Sequence, residues 1–203
     1  MTGTSGSRLP VAAVVLAAGA ATRMGKLKQL LPFRGRTLVE HSIRQAIETG
    51  FHPIMVVVGA EAEAVRSAIA TQPVEIVQNE QWQSGMGSSV RAGIRQLQRS
   101  AAESAAVAIL LPDQPLVTAE HLAAMRNLLH TREHPVVAAQ YEGTIGVPAL
   151  FKRELFSMLA SLPAEAGARH LLRNTALGVT EFPLPEAALD IDTPADFAAL
   201  EPR

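Results

Sequence analysis

The segment Val11-Ala-Ala-Val-Val-Leu-Ala-Ala-Gly-Ala-Ala-Thr-Arg-Met-Gly-Lys-Leu-Lys28 decides the fold, because it joins an apolar run directly to a basic loop of small residues. Val11–Leu16 is apolar and rich in valine, which is typical of a buried strand in a parallel sheet. The small residues that follow let backbone N–H groups approach a ligand closely. Three cations in the loop are suited to neutralising phosphate oxygens: Arg23, Lys26 and Lys28.

This loop is neither of the common glycine-rich phosphate loops. Five residues separate Gly19 from Gly25, and Leu27 stands where the P-loop motif requires Ser or Thr to bind magnesium. The segment does not match G-x-G-x-x-G either. Its composition alone leaves a phosphate-binding loop and a flexible, solvated basic turn equally open.

Beyond this loop, short apolar runs alternate with amphipathic stretches of helical length, the pattern of a parallel sheet with helices on both faces. The further predicted strands are Ile54–Val58, Val74–Val77, Val107–Leu111, Val136–Gln140, Val147–Phe151 and Val179–Phe182. The main predicted helices are Thr37–Thr49, Glu61–Ala70, Gly87–Arg99 and one that Thr118 caps, with Glu120 behind it. A looser rhythm after Pro135 predicts an antiparallel extension with a turn at Glu142-Gly143. We expect a disordered leader, residues 1–9, and then one α/β domain, residues 10–203, with a doubly wound, mostly parallel sheet.

Composition narrows the function classes. The 203 residues are 48% hydrophobic and 18% charged, so the chain can bury a core. An aromatic content of 4% disfavours base-stacking platforms for single-stranded nucleic acid, and a net charge of -1 with scattered cations disfavours a long polyanion as partner. The absence of cysteine excludes disulfides, thiolate metal sites and cysteine nucleophiles. With no signal peptide and no apolar run of about 20 residues, we expect a cytoplasmic protein without a membrane partner.

Three segments that contain candidate ligand-binding residues each follow a predicted strand at its carboxyl end. Ala17–Lys28 follows the first strand, Asn79–Ser89 the third, and Asp113 the central one. Ligands of open parallel sheets bind outside the carboxyl ends of the strands. The sequence therefore predicts one ligand site that these three loops share.

The spacing Leu16-Ala-Ala-Gly-x-x-x-Arg-Met-Gly-x-x-Lys-x-Leu-Leu31 resembles the signature of the MobA-like nucleotidyltransferases, the molybdenum-cofactor guanylyl- and cytidylyltransferase group. Later blocks follow in the order of that family: Asn79–Ser89, Leu111–Pro115, Gly146–Pro148, Gly167–Arg169 and Asp190–Asp196. The resemblance covers nearly the whole chain. It implies the Rossmann-like fold that this group shares with sugar-nucleotide pyrophosphorylases and the cytidylyltransferase of the methylerythritol pathway.

The resemblance also implies a role for each matching residue. The base and ribose would lie against Leu16, Ala17, Ala18 and Gly19, and the base edge would be read by Gly85, Met86 and Ser89. The triphosphate would be held by Arg23 and Lys28, with Lys28 nearest the α-phosphate. The Mg²⁺ ion would be held by Asp113 and Asp192. The acceptor half of the site would contain Gly146, Pro148, Gly167 and Arg169.

The two aspartates also suit magnesium on chemical grounds. Mg²⁺ takes one or two carboxylates, keeps several waters and uses substrate phosphates for its remaining positions. Asp113 stands between two prolines after a buried strand, which makes its carboxylate rigid. The alternative for Asp113 is a turn aspartate, whereas Asp190 and Asp192 have the stronger alternative of capping the terminal helix. We favour Asp192 as the second ligand and Asp190 as its support.

The reaction implied by the resemblance is transfer of a nucleoside monophosphate from an NTP to a small phosphorylated acceptor, with release of pyrophosphate. Leu16–Gly19 resembles the cytidylyl branch, since the guanylyl branch more often reads L-A-G-G, so CTP is the expected donor. The implied acceptor is molybdopterin carrying molybdenum, with a delivery contact to a molybdoenzyme or its chaperone.

Two departures from the cytidylyl pattern fall in the acceptor half. Gly146-Val147-Pro148 stands where G-H-P is usual, and Ala164-Glu165 stands where an acidic G-D is usual. Another phosphorylated metabolite, such as a sugar or polyol phosphate, and GTP as donor therefore stay open. A nucleotide-sensing or cofactor-delivery module without turnover is disfavoured, because Lys28 and Asp113 are both present.

Other conspicuous side chains have plainer interpretations. His41 and His121 are expected to be surface or satisfied core residues, and Trp82 is expected to anchor its loop. The helical spacing of Arg91, Arg95 and Arg99 indicates a solvated face. The sequence offers neither a Ser-His-Asp triad nor a zinc site.

Overall fold

The fold is organised around a first strand that is buried along its whole length. The computed structural model describes residues 9–20, 27–101, 103–167 and 178–189, with the single positions 172, 191 and 197. The strands in chain order are β1 Val11–Ala17, β2 Pro32–Phe33, β3 Arg36–Thr37, β4 Ile54–Val58, β5 Glu75–Gln78, β6 Ala106–Leu110, β7 Val136–Tyr141, β8 Thr144–Lys152 and β9 Val179–Pro183. The helices are α1 Leu38–Thr49, α2 Ala62–Ala68, α3 Met86–Ser100, α4 Ala119–Thr131 and α5 Phe156–Leu159. No helix in these described stretches is long and apolar enough to cross a bilayer.

Seven strands form one sheet in the order β5-β4-β1-β6-β8-β7-β9. The pairs β1–β4, β1–β6, β4–β5 and β7–β9 are parallel, whereas β8 runs antiparallel to both β6 and β7. The sheet is therefore mostly parallel, as predicted, and its antiparallel strand comes from the region after Pro135. The turn between β7 and β8 contains Glu142 at φ 49° and Gly143 at φ 71°, the left-handed pair that a tight hairpin requires.

The core lies on both faces of the sheet, because the side chains of β1 alternate between them. Ala13, Val15 and their equivalents on neighbouring strands pack against α1, α2 and α4. Val14 and its equivalents pack against α3 and α5 on the other face. A Cβ on Gly93 of α3 would lie 2.5 Å from Val14 Cγ1, so this glycine allows α3 to approach the sheet closely.

Local sequence explains where the main helices begin and end. Thr37 caps α1 through a reciprocal box with Glu40, and Gly50 ends α1 in the left-handed conformation at φ 81°. Thr118 caps α4 as predicted, but the residue that completes the box is His121 rather than Glu120. His121 occupies the third helical position, from which its side chain reaches the backbone N–H of Thr118, while Glu120 at the second position hydrogen-bonds the Thr118 side chain.

A small hairpin, β2–β3, was not predicted. Its turn uses Arg34 at φ 47° and Gly35 at φ 79°, and Leu38 N donates to Leu31 O at 3.0 Å at its base. Each strand has only two residues, which is too short for an alternating pattern to show in the sequence. The hairpin lies between the basic loop and α1, and it contributes to a third apolar cluster described below.

Candidate functional site

The site is centred on an ion pair between two of the predicted residues. Lys28 Nζ lies 2.7 Å from Asp113 Oδ2, and the two side chains are only 18% and 23% exposed. Lys28 begins a 3₁₀ turn, Lys28–Leu30, after the β1 loop, and Asp113 follows β6. Because β1 and β6 are adjacent and parallel, their carboxyl ends bring these two loops together. The structure thus places this cation and this carboxylate together at one rim of the sheet, as the position of their loops after adjacent strands predicted.

The second carboxylate oxygen of Asp113 fits a metal ligand. Asp113 Oδ1 is buried, and it is the one such side-chain atom in the described ranges without a hydrogen-bond partner. A buried carboxylate oxygen is costly unless a donor or a cation satisfies it. No group of three or more His, Asp or Glu side chains in the part of the chain that the structure describes forms a metal cluster. Magnesium does not need one, because one or two carboxylates with water and phosphate oxygens suffice.

Four hydrogen bonds, made by three residues, hold the loop that carries Asp113. Gln114 is 4% exposed, and its Nε2 donates to Val147 O at 3.0 Å and to Ala187 O at 2.8 Å. His41 Nε2 lies 3.0 Å from Pro115 O and must donate, since a carbonyl only accepts. Ile191 N donates to Asp113 O at 3.2 Å. The predicted rigidity of Asp113 therefore comes from these contacts as well as from the flanking prolines.

His41 is a satisfied core histidine, as the sequence analysis expected. It is 9% exposed, and its ring contacts Phe33 edge to face, with centroids 4.9 Å apart. Burial lowers the pKa of His41 below its usual 6.5, although the bond to the Pro115 carbonyl acts in the opposite direction. His41 is therefore neutral at physiological pH and serves the loop as a hydrogen-bond donor. His121 is likewise structural, because it completes the cap of α4.

The loop after β1 is anchored by Gln29. Gln29 is buried, and its Nε2 donates to Ala17 O at 3.2 Å and to Gly19 O at 3.1 Å. Ala18 O accepts a hydrogen bond from Ala60 N at 3.1 Å. The backbone carbonyls of Ala17, Ala18 and Gly19 thus each accept a hydrogen bond from within the protein. Among the described residues beyond its chain neighbours, a Cβ added to Gly19 would meet no atom within 4 Å, so packing against those residues does not require glycine at this position.

The first turn of α3 carries the residues predicted to read the base. Asn79 Nδ2 donates to Ser88 Oγ at 2.8 Å and to Ser89 Oγ at 3.0 Å, and Asn79 Oδ1 accepts from Gln81 N. Ser89 is only 5% exposed, whereas Met86 is 46% exposed. The structure therefore places Ser89 in a buried polar network beneath the helix terminus and leaves Met86 at its surface.

Glycines bring the segment 163–167 against this turn. A Cβ on Gly87 would lie 2.0 Å from Pro163 O and 2.1 Å from Ala166 O, and Gly85 adopts φ 120° beside Ala164 O. Arg91 donates to Leu162 O at 2.6 Å, so it anchors this segment rather than standing on a purely solvated face. The block predicted to read the base and the block predicted to bind the acceptor are therefore in direct contact.

The predicted acceptor residues lie in three separate environments. Gly146 on β8 accommodates Tyr141, whose hydroxyl would lie 2.3 Å from a Cβ at that position. Pro148 lines a narrow cleft with Gln114 and Val117 behind the Asp113 loop. Gly167 packs against Met86. Packing against Tyr141 thus explains why residue 146 is glycine. Gly167 contacts Met86, which belongs to the block predicted to read the base.

Five residues to which the sequence assigns a candidate role lie outside the described residues: Arg23, Lys26, Arg169, Asp190 and Asp192. Their proposed roles therefore stay predictions. Trp82 packs between Gly59 and the core, which agrees with a loop anchor. The sequence analysis missed the anchoring roles of Gln29, Asn79, Gln114 and Ile191. A polar side chain inside an otherwise apolar, proline-bounded turn was the available signal for Gln114.

The chain is similar to proteins of several named activities. It is 36% identical to the nicotine blue oxidoreductase of Paenarthrobacter nicotinovorans over 80% of this chain and 81% of that relative. It is 25% identical to the molybdenum cofactor cytidylyltransferase of Escherichia coli over 94% of this chain and 95% of that relative. The crystal structure of Rv0371c from Mycobacterium tuberculosis superposes with a TM-score of 0.81 at 29% identity, covering 96% of this chain and 98% of that one. A second structure of Rv0371c is a complex with manganese; it gives a TM-score of 0.77, covering 94% of this chain and 97% of that one.

The family match spans residues 13–179, which include most of β1, the Lys28 turn, the α3 terminus and the Asp113 loop. The chain therefore belongs to the family of MobA-like NTP transferase domains, and it is a nucleotidyltransferase by family.

Proposed function

We propose that this chain catalyses the Mg²⁺-dependent transfer of CMP from CTP to a molybdopterin-type molybdenum cofactor, with release of pyrophosphate. The observation that carries the proposal is the Lys28–Asp113 ion pair, with the unpartnered Asp113 Oδ1 beside it. In a nucleotidyltransferase, a cation and a carboxylate at this rim are the groups needed to bind a triphosphate and its metal.

The reaction requires few covalent steps. A phosphate oxygen of the acceptor attacks the α-phosphorus of the nucleotide in line and forms a new P–O bond. The bond from the α-phosphorus to the bridging oxygen breaks, and pyrophosphate leaves with the electron pair. Positioning and charge neutralisation supply most of the rate acceleration in such transfers. Lys28 acts on the α-phosphate, and Arg23 acts on the leaving pyrophosphate.

Asp113 would hold the magnesium ion, with Asp192 as the second carboxylate. When bound there, Mg²⁺ neutralises charge on the phosphate oxygens. The buried Asp113 Oδ1 supports this assignment, because no protein donor in the described ranges satisfies it. The two hydrogen bonds from the Gln114 side chain and the bond from His41 to Pro115 O hold the loop that carries Asp113 in place.

The choice of base and acceptor is supported by sequence rather than by the site geometry. Leu16–Gly19 has the cytidylyl pattern, and a cytidylyltransferase is a relative over nearly its full length. Val147 and the pair Ala164-Glu165 depart from that pattern in the acceptor half. A sugar or polyol phosphate acceptor and GTP as donor are therefore the alternatives. With molybdopterin as acceptor, the product requires delivery to a molybdoenzyme or its chaperone.

The test is a pyrophosphate-release assay of CTP, GTP, ATP and UTP, each against molybdopterin-type and sugar or polyol phosphate acceptors. We expect release with CTP and the molybdenum cofactor, and none from Asp113→Asn. One relative is named an oxidoreductase, so oxidation of a reduced nicotinamide cofactor is measured in parallel. Redox turnover without pyrophosphate release, or no release with any pair, would overturn the proposal.

A further inference from the structure

A third apolar cluster lies apart from the two large cores and close to the Asp113 loop. It consists of Leu31, Phe33, Leu38 and Ile191, and Phe197 packs against it. Leu38 and Ile191 are 0% exposed, and Leu31 and Phe33 are 7% exposed. Three of these residues come from the β2–β3 hairpin and the residues flanking it. Ile191 comes from the far end of the chain and stands between Asp190 and Asp192 in the sequence.

Ile191 has a second contact, which is made by its backbone. Its N–H donates to Asp113 O at 3.2 Å, so the residue whose side chain enters the cluster is bonded to the proposed metal ligand. A fully buried isoleucine is held firmly, because both apolar burial and close packing favour one position. The position of the Asp113 carbonyl therefore depends on how the Ile191 side chain packs in the cluster.

The same hairpin reaches the Asp113 loop by another route. The Phe33 ring contacts His41 edge to face, with an interplanar angle of 86°. His41 in turn donates to Pro115 O. The loop is thus supported by Ile191 at Asp113 and by His41 at Pro115, and Phe33 contributes to both supports.

The hairpin is also linked directly to the lysine of the ion pair. Leu31 N donates to Lys28 O at 3.1 Å, which closes the turn that presents Lys28. Leu31 is itself a member of the cluster. Movement of the cluster would therefore shift Lys28 and Asp113 relative to each other and change the geometry of the proposed cation site.

We propose that Ile191 is a positioning residue for the cation site. By inserting into the cluster of Leu31, Phe33 and Leu38, it fixes the backbone at Asp113. In this proposal Ile191 acts through the Asp113 backbone and not by contact with nucleotide or metal. The inference rests on the proposed function, because it assumes that Asp113 binds a divalent cation.

The test measures binding of Mn²⁺ alone to the full chain by isothermal titration or by electron paramagnetic resonance. We expect Ile191→Ala to weaken Mn²⁺ binding about tenfold or more, because the cavity loosens the Asp113 backbone. Ile191→Val, which keeps the β-branch, is expected to stay within about threefold of the parent. The matched control is Ile54→Ala, a buried isoleucine at the opposite, amino end of β4. It is expected to lower the melting temperature while leaving Mn²⁺ affinity unchanged.

The outcomes separate the inference from the function on which it rests. Mn²⁺ affinity of Ile191→Ala within twofold of the parent, with a melting temperature as low as that of Ile54→Ala, would leave Ile191 a purely structural residue. If the parent binds no Mn²⁺, or if Asp113→Asn binds it equally well, the proposed cation site itself fails. Should Ile191→Ala not fold, Phe33→Leu perturbs the same cluster with Ile191 in place. It is expected to weaken Mn²⁺ binding in the same direction, and unchanged binding would overturn the inference.

Discussion

Lys28 Nζ contacts Asp113 Oδ2 at 2.7 Å, so the proposed phosphate-binding cation and the proposed metal ligand hold each other at the rim of the sheet. Both side chains are largely buried, and water therefore screens their attraction only in part. The ion pair holds the long side chain of Lys28 in the position where the triphosphate is expected to bind. This arrangement also means that a change at either residue affects the other.

Replacing Lys28 by Ala is expected to lower kcat by orders of magnitude, with a smaller effect on NTP affinity. Its charge acts mainly on the transition state, where negative charge develops around the α-phosphorus. Steady-state kinetics with saturating acceptor measure both parameters. A rise in KM at unchanged kcat would instead assign Lys28 to simple triphosphate binding.

Asp113→Asn is expected to abolish turnover while the protein stays folded. The amide keeps the shape of the side chain, but it removes the charge that a divalent cation needs and leaves Lys28 without the Asp113 carboxylate. Pyrophosphate release measures the loss, and far-ultraviolet circular dichroism checks the fold. Turnover within a few-fold of the parent would show that Asp113 is not a metal ligand.

The buried His41 is expected to make stability depend on pH. Burial lowers the pKa of His41 in the folded chain below the 6.5 of the unfolded chain, so between these two values the unfolded state binds more protons. Stability is therefore present above about pH 6.5 and is lost as the pH falls toward the folded pKa. Chemical denaturation of the parent and of His41→Gln from pH 7.5 to 5.5 measures this, and the variant is expected to show a shallower loss. Equal slopes would contradict the assignment.

Replacing Gly19 or Gly87 by alanine is expected to change different properties, namely NTP binding at Gly19 and thermal stability at Gly87. Gly19→Ala should leave the melting temperature unchanged, because its Cβ meets no atom of the described residues within 4 Å, and should raise the KM for NTP if a ligand occupies that space. Gly87→Ala should lower the melting temperature, although alanine favours a helix by about 1 kcal/mol over glycine. Its Cβ would overlap the carbonyls of Pro163 and Ala166, and that clash outweighs the helical preference. Thermal unfolding and NTP kinetics distinguish the two; a destabilised Gly19→Ala would contradict the first expectation.

The strands were predictable because their signal is local. Ile54–Val58 and the antiparallel strand after Pro135 could be read from runs of apolar residues and turn chemistry. The convergence of the Lys28 and Asp113 loops followed from one rule about the carboxyl ends of parallel strands. The anchors could not be predicted in this way. Gln114 bonds Val147 and Ala187, and Ile191 bonds Asp113, so each role depends on contacts between distant parts of the chain.

The nucleotide base pocket is expected to discriminate between cytosine and guanine. Ala17 and Ala18 are 2% and 4% exposed, and the first turn of α3 holds Ser89 in the Asn79 network, so we expect a pocket with few adjustable side chains. A site that hydrogen-bonds cytosine leaves its polar groups unpaired when guanine binds. Each loss costs roughly 1–3 kcal/mol, so two losses give a preference on the order of a hundredfold or more.

We therefore expect kcat/KM for CTP to exceed that for GTP by at least about a hundredfold, whatever the acceptor. Ala18→Gly, a change toward the guanylyl pattern, is expected to reduce the ratio, because glycine gives the loop backbone more freedom to accommodate the larger base. Gly19→Ala is the useful comparison, since it narrows the same loop and should not favour the larger base. Comparable rates with CTP and GTP in the parent would defeat the cytidylyl assignment and leave the nucleotidyltransferase chemistry intact, because Lys28 and Asp113 act on phosphates that the two nucleotides share.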